Sequence, residues 1–279
     1  MLSTQHLFII QQLERDIGPL SDKEKILFEK VAERGSPKLA CDVVRIFHQT
    51  PENGQPFSDH IEFMKDGSTT SVFDVGGGMV MKIFNENERK SERVHSIYVL
   101  EPWDRLNMTD GDHTISLAIY PKLMETSATK EDQDILRYKL WQEGHDLWDR
   151  WPSDSHPNEA KNVLRDANGV AFVIDDDAVK DRNQEYSTRT QEAYTAMREN
   201  NWDFTRDAVP WDATSPSYLK TMMDKADEMM WPEDQMQYFE PQMDRKLLRH
   251  FSACLDQLNQ VTGAKRHLAH QVGYGGAAL

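Results

Sequence analysis

Residues 162–179 read NVLRDANGVAFVIDDDAV. Two short runs, Asn162-Val163-Leu164 and the apolar 170–174, flank the polar stretch Asp166-Ala167-Asn168-Gly169. Asn-Gly between two such runs is a strong turn signal, so the segment predicts a β-hairpin. A hairpin brings its two open ends together, which places Asn162 beside Asp175. Three adjacent carboxylates, Asp175-Asp176-Asp177, repel one another and call for either open solvent or a cation. An amide oxygen and a carboxylate are oxygen donors suited to magnesium. The same two residues also serve as turn caps, and on this pair alone both readings stand. Alternation along a strand groups Val173 with Asp175 and Phe172 with Ile174. Asp175, rather than Asp176 or Asp177, is therefore expected to lie beside Asn162.

Upstream, residues 151–162 read WPSDSHPNEAKN. An aspartate such as Asp154, in a loop near a metal pair, can orient or deprotonate a hydroxyl; the loop also reads as ordinary polar surface. Further out, the pattern from Lys130 is helical, with Ile135, Leu136, Leu140, Leu147 and Trp148 in one stripe. More helices are expected around 187–199, 216–230 and 244–261. In the last, Leu247, Leu248, Phe251, Cys254, Leu255, Leu258 and Val261 share a face.

Before residue 127 the character is different. Leu7, Ile10, Leu13 and Ile17 fall at helical spacing. Ser21 and Glu24 form a capping-box pattern before a second helix that stops near Gly35. A third begins at Pro37 and runs to about His48. After PENGQP (51–56), residues 61–84 contain short apolar runs broken by glycine, the pattern of meandering antiparallel strands. A charged helical stretch is expected over 86–100, then a strand over 114–125.

Composition narrows the function classes. The 279 residues suffice for one large domain or two small ones. Seven Trp and eleven Phe argue for a folded core. A net charge of -15 argues against direct nucleic-acid binding, and against anionic membrane, because phosphate binding needs a basic surface. A basic protein partner fits better. The two cysteines, Cys41 and Cys254, have no metal spacing and imply a reducing, cytoplasmic setting. The first residues lack a signal-peptide pattern, and no apolar run approaches the ~18 residues needed to cross a membrane.

The order of these features resembles the protein-kinase-like superfamily, including the early Ser/Thr protein kinases of bacteriophages and aminoglycoside-phosphotransferase-type kinases. There a catalytic aspartate sits in a loop such as HRDxxxxN or DxHxxN, a hairpin follows, and a metal-binding aspartate opens a DFG triplet. Asp154-Ser155-His156-Pro157 resembles that loop. Asn162 and Asp175 stand thirteen residues apart, the spacing usual in the family. Met79-Val80-Met81-Lys82-Ile83 looks like the VAIK strand, whose lysine contacts nucleotide phosphates. Gly67, with Ser68 and Thr69, resembles a shortened glycine-rich loop. Glu92, with Glu88 as fallback, would partner Lys82. The departures are an eight-residue interval from Asp154 to Asn162 where about five is usual, a missing DFG glycine and phenylalanine, and a sparse glycine loop. Kept rigid from Asn162, the alignment puts Pro157 at the catalytic position, which describes a pseudokinase. The segment RHLAHQVGYGG (266–276) is a second, weaker echo without the aspartate.

The resemblance implies an α+β, two-lobed kinase-like fold: a helical extension over 1–54, an antiparallel-sheet lobe over 55–126 and a helical lobe over 127–279. It implies ATP and Mg2+ as cofactors. Lys82 would hold the phosphates and Glu92 would hold Lys82, Asp154 would orient the acceptor, and Asn162 and Asp175 would hold the metal. The expected partner is a protein substrate, a host protein if the chain is phage-encoded, in the host cytoplasm. The alternative is an inactive kinase-like scaffold that binds and inhibits a basic partner through its acidic surface.

Overall fold

Capping explains the first three helices. Ser3, Ser21 and Ser36 each accept a hydrogen bond from a backbone N–H of the following turn and start α1 (Thr4–Ile17), α2 (Asp22–Arg34) and α3 (Pro37–His48). The Ser21/Glu24 capping box is formed, and a proline stands in the first turn of α3. Leu27, Phe28, Val31, Val43, Val44 and Phe47 are fully buried along the inner faces of α2 and α3. The computed structural model describes residues 3–49, 54–67, 69–88, 94–123, 126–147, 159–175, 178–181, 216–263 and 265–267.

Residues 61–84 form the expected antiparallel strands, β1 (Glu62–Asp66), β2 (Thr70–Gly76) and β3 (Met79–Asn85). Two more strands, β4 (Asp104–Asp110) and β5 (His113–Pro121), complete an antiparallel run. The sheet order is β1-β2-β3-β5-β4, with a short strand over 265–267 paired at the β4 edge. One face carries Phe73, Met81, Ile83, Leu106, Met108, Leu117 and Ile119, all buried. This face meets the helices: a Cβ on Gly35, at the end of α2, would stand 2.7 Å from Ile115 Cγ2. Arg34 also donates to the Gly67 carbonyl at 2.8 Å, and Ser36 to Asp110 at 2.6 Å. The N-terminal helices thus belong to the same body as the sheet.

That body, Met1–Arg89 with Glu101–Lys122 and Met236–Leu279, is one of two compact units. Its boundaries differ from lobe limits of 55–126 and 127–279, because the last long helix (Asp244-capped, Arg245–Thr262) packs here: Phe251 contacts Phe57 with ring centroids 5.4 Å apart. Leu247, Phe251, Cys254, Leu255 and Leu258 are buried as expected, whereas Val261 is exposed. The β2–β3 turn explains the Gly76-Gly77-Gly78 run. All three residues have positive φ, and a Cβ on Gly78 would stand 2.2 Å from the Gln242 carbonyl oxygen. No other residue type fits so close a backbone approach in that conformation.

The second unit comprises Lys90–Leu100 and Leu123–Gln235. It contains β6 (Thr126–Thr129), α4 (Lys130–Gln142), β7 (His145–Leu147), β8 (Glu159–Arg165), β9 (Ala171–Val173), β10 (Val179–Asp181) and α5 (Pro216–Glu228). β6-β8-β9 form one small sheet and β7 pairs with β10. Val94, Val99, Leu136, Leu140, Val163 and Val173 are among its core residues. Leu147 is buried in β7 rather than continuing the α4 stripe, because Gly144, at φ 93, ends the helix before it.

One expectation needs correction. The helix over 86–100 is absent among the described residues: Glu86–Glu88 is a short 3-10 turn and 94–100 is non-helical. Val99 instead bridges Val173 in parallel, with Leu100 N–H donating to Val173 O at 2.8 Å and Val173 N–H to Tyr98 O at 2.9 Å. The β-branched Val94, Ile97 and Val99 favour this extended backbone. β4 was not anticipated at all. The expected helix over 187–199 and Trp148 lie outside the described residues. Among the described residues no helix is long and apolar enough to cross a membrane.

Candidate functional site

Lys82 lies on β3 with its neighbours Met81 and Ile83 turned toward the helices. Strand alternation therefore puts Lys82 on the opposite face, with Val72, Val80, Phe84, Ala118 and Tyr120. The side chain is 8% exposed. Its Nζ stands 4.5 Å from the Tyr120 ring centroid and 6.0 Å from that of Phe84. Both distances are within cation–π range. The negative faces of these rings attract the ammonium group.

Arg105 shares that face. It pairs in register with Ala118 from β4, as Lys82 does from β3, so the two cations flank one small residue. Arg105 is 3% exposed, and its Cζ stands 5.5 Å from the Phe84 ring. It forms an ion pair with Glu86 and donates through Nε to Asn107 at 3.1 Å. Its Nη1 is buried without a hydrogen-bond partner. Sequence reasoning missed this residue along with its strand. The available signal was the alternation of Leu106 and Met108 before the Asp110-Gly111-Asp112 turn.

Of the three loop residues expected to cradle phosphates, Ser68 lies outside the described residues. Gly67 is exposed in the β1–β2 turn, and its N–H donates to Thr70 O at 2.7 Å. Thr69 offers its carbonyl to Asn85 N–H at 3.1 Å. Lys30 of α2 pairs with Asp66 at 2.6 Å, and Arg34 reaches Gly67 O, so the turn is fastened at both ends of its first half. Glu88 closes the 3-10 turn after β3, while Glu92 and Asp154 lie outside the described residues.

The hairpin forms in the second unit. Val163 faces Val173, Leu164 faces Phe172 and Arg165 faces Ala171. The turn is held by the buried Asp166, whose carboxylate accepts from Asn168 N–H at 2.9 Å and Val170 N–H at 2.8 Å. Gly169 alone in the turn takes a positive φ, 83°. At the open end, Ile174 N–H donates to Asn162 O at 2.9 Å, which brings Asn162 and the residue pair Ile174-Asp175 together. Both Asn162 and Asp175 are half-buried. Asn162 has φ 59°, and among the described residues it is the one non-glycine with positive φ. It sits in a bulge: Ser127 faces Leu164 and Thr129 faces Glu159, so β8 carries extra residues between them. Bulges re-aim a side chain, and asparagine tolerates the left-handed region better than most residues.

Asp132 anchors the hairpin to α4. It accepts two hydrogen bonds from Arg165, at 2.8 and 2.7 Å, and caps the helix with Thr129. Its hydrogen bonds hold the Arg165 guanidinium above its ordinary value. Among the described residues there is no group of three or more His, Cys, Asp and Glu side chains that could hold a metal. A site at Asn162 and Asp175 would have two protein oxygen donors, which suits an ion that keeps waters and substrate phosphates as its other ligands.

No family model matches the sequence, and no curated protein matches it. Among solved structures, the chain is similar to the bifunctional kinase-methyltransferase WbdD, with TM-score 0.32 and 13% identity over 71% of this chain and 51% of that one. A co-crystal structure of WbdD with the kinase inhibitor LY294002 matches with TM-score 0.29 and 12% identity, over 72% and 50%. The chain thus spans about half the length of the structures it matches.

Proposed function

We propose that this chain is an ATP-dependent phosphotransferase with a kinase-like arrangement, transferring the γ-phosphoryl group to a hydroxyl. The observation that carries it is the open end of the β8–β9 hairpin. A non-glycine residue in the left-handed region, Asn162, is kept beside Asp175. Unfavourable backbone of this kind persists where it positions a functional group. In this reading Asn162 and Asp175 hold Mg2+, which would neutralise phosphate charge when bound. Lys82 holds the nucleotide phosphates from the sheet, with Gly67, Ser68 and Thr69 beside them and Glu92 as its carboxylate partner. Asp154 orients the acceptor hydroxyl. By resemblance to phage kinases the acceptor is a Ser or Thr of a host protein.

One observation favours a second reading, an inactive scaffold that binds a basic partner through its acidic surface. The Gly67 N–H and carbonyl are both engaged, by Thr70 and Arg34, in a turn clamped to α2. A phosphate-cradling loop needs those amides for its ligand. A thermal-shift titration with ATP, with and without magnesium, followed by labelled-phosphate autophosphorylation, separates the two. The kinase reading expects magnesium-dependent stabilisation and incorporated label. The scaffold reading expects neither.

A further inference from the structure

We infer that Arg105 and Lys82 form a single polyphosphate-binding patch, in which Arg105 is a ligand in its own right rather than a structural ion-pair partner. The inference rests on the role given above to Lys82 and adds a second cation to it. Both side chains rise from the same sheet face on either side of Ala118, and both cations lie within cation–π range of the Phe84 ring.

The orphaned Nη1 is the second, independent observation. A guanidinium that only stabilised the fold would be expected to have its buried donors satisfied, since leaving one unmade is expensive. Here Nε serves Asn107 and another nitrogen serves Glu86, while Nη1 is buried without a hydrogen-bond partner, in a residue 3% exposed. Guanidinium donors match the oxygens of phosphate groups, and a lysine supplies a point charge beside them. Two cations flanking one alanine suit an extended anion with several charges, the triphosphate of a nucleotide or inorganic tripolyphosphate, better than a single phosphate. Glu86 competes with that anion for Arg105.

The test uses the full chain and inorganic tripolyphosphate without metal, with binding read by calorimetry and folding by melting temperature. Arg105→Met combined with Glu86→Gln, which avoids stranding the carboxylate, is expected to weaken tripolyphosphate about tenfold or more. Glu86→Gln alone is expected to tighten it about fivefold by removing the competing charge. The opposite signs distinguish a ligand from a structural pair, which would change melting temperature and leave affinity alone. Wild type that fails to bind tripolyphosphate at millimolar concentration, or folded variants that bind as wild type does, would overturn the inference. If ATP with magnesium still supports phosphotransfer in that case, the proposed function stands without Arg105. If tripolyphosphate binds as expected but no phosphotransfer occurs, the patch stands and the proposed activity falls.

Discussion

Glu24 and Arg105 are both charged and both nearly inaccessible, at 3% exposure each, yet their surroundings differ. Glu24 is enclosed by donors. Its carboxylate accepts from Ser21 N–H at 2.7 Å, the Ser21 hydroxyl at 2.9 Å and the Ser58 hydroxyl at 2.8 Å, and lies 2.7 Å from His48 Nδ1. It joins α2, α3 and the 57–60 turn into one piece. Arg105 keeps one nitrogen, Nη1, buried without a hydrogen-bond partner. A buried charge with all its partners is a fastening, whereas one with an unused donor in an otherwise well-satisfied sheet points to a ligand. The two are equally buried and differ in their hydrogen bonds.

The largest effect should come from breaking the fastening. Glu24→Ala leaves three side chains and a backbone N–H without their acceptor, and urea unfolding should report a loss of about 3 kcal/mol. The same network sets a pH dependence. Burial alone would raise the Glu24 carboxyl, but hydrogen bonds from Ser21, His48 and Ser58 outweigh it and hold the group below its ordinary value of 4.5. Its contribution is therefore complete above that value and is lost as pH falls through the lower folded value. Glu24→Gln should flatten this part of the acid-unfolding curve; an unchanged curve would assign the acid sensitivity elsewhere.

A smaller effect is expected at the hairpin turn. Asp166→Ala removes the acceptor for the Asn168 and Val170 amides and should cost about 1–2 kcal/mol in the same measurement. Smallest of all is the double change at Arg105 and Glu86. Replacing a buried ion pair by neutral residues of similar size is often close to neutral. Stability within about 1 kcal/mol of wild type, with tripolyphosphate affinity lost, would sharpen the contrast with Glu24. A loss as large as that of Glu24→Ala would erase it.

Much of the fold could be read from local signals. Ser21/Glu24 and Pro37 marked helix starts, glycines marked the strands of 61–84, and Asn168-Gly169 marked the hairpin that brings Asn162 to Asp175. The stretch 86–100 misleads because its charges, Glu86 to Arg93, look helical while Tyr98, Val99 and Leu100 at its end pair with β9 through contacts distant in sequence. β4 escapes because Asp104, Arg105 and Asn107 dilute its apolar alternation; their partners, Ser252 for Asp104 on the helix-facing side and Glu86 and Ser116 for Arg105 and Asn107 on the other, are distant in sequence. Arg105 was invisible for the same reason. The last helix was legible as a helix but not in its location, since an amphipathic stripe specifies a buried face without naming what buries it.

In the proposed ATP-dependent phosphotransferase, the Asn162–Asp175 end of the hairpin binds the metal. Asp175→Asn keeps the shape and removes one charge, and its backbone carbonyl still accepts from Ala178 N–H, at 3.0 Å in the unchanged chain. The direct measurement is the thermal shift produced by ATP, with and without magnesium, in wild type and in this variant. Wild type should show a magnesium-dependent shift that disappears in Asp175→Asn, while the melting temperature without ligand is unchanged or higher. Equal shifts in the two proteins, or no shift in wild type with millimolar ATP and magnesium, would contradict it.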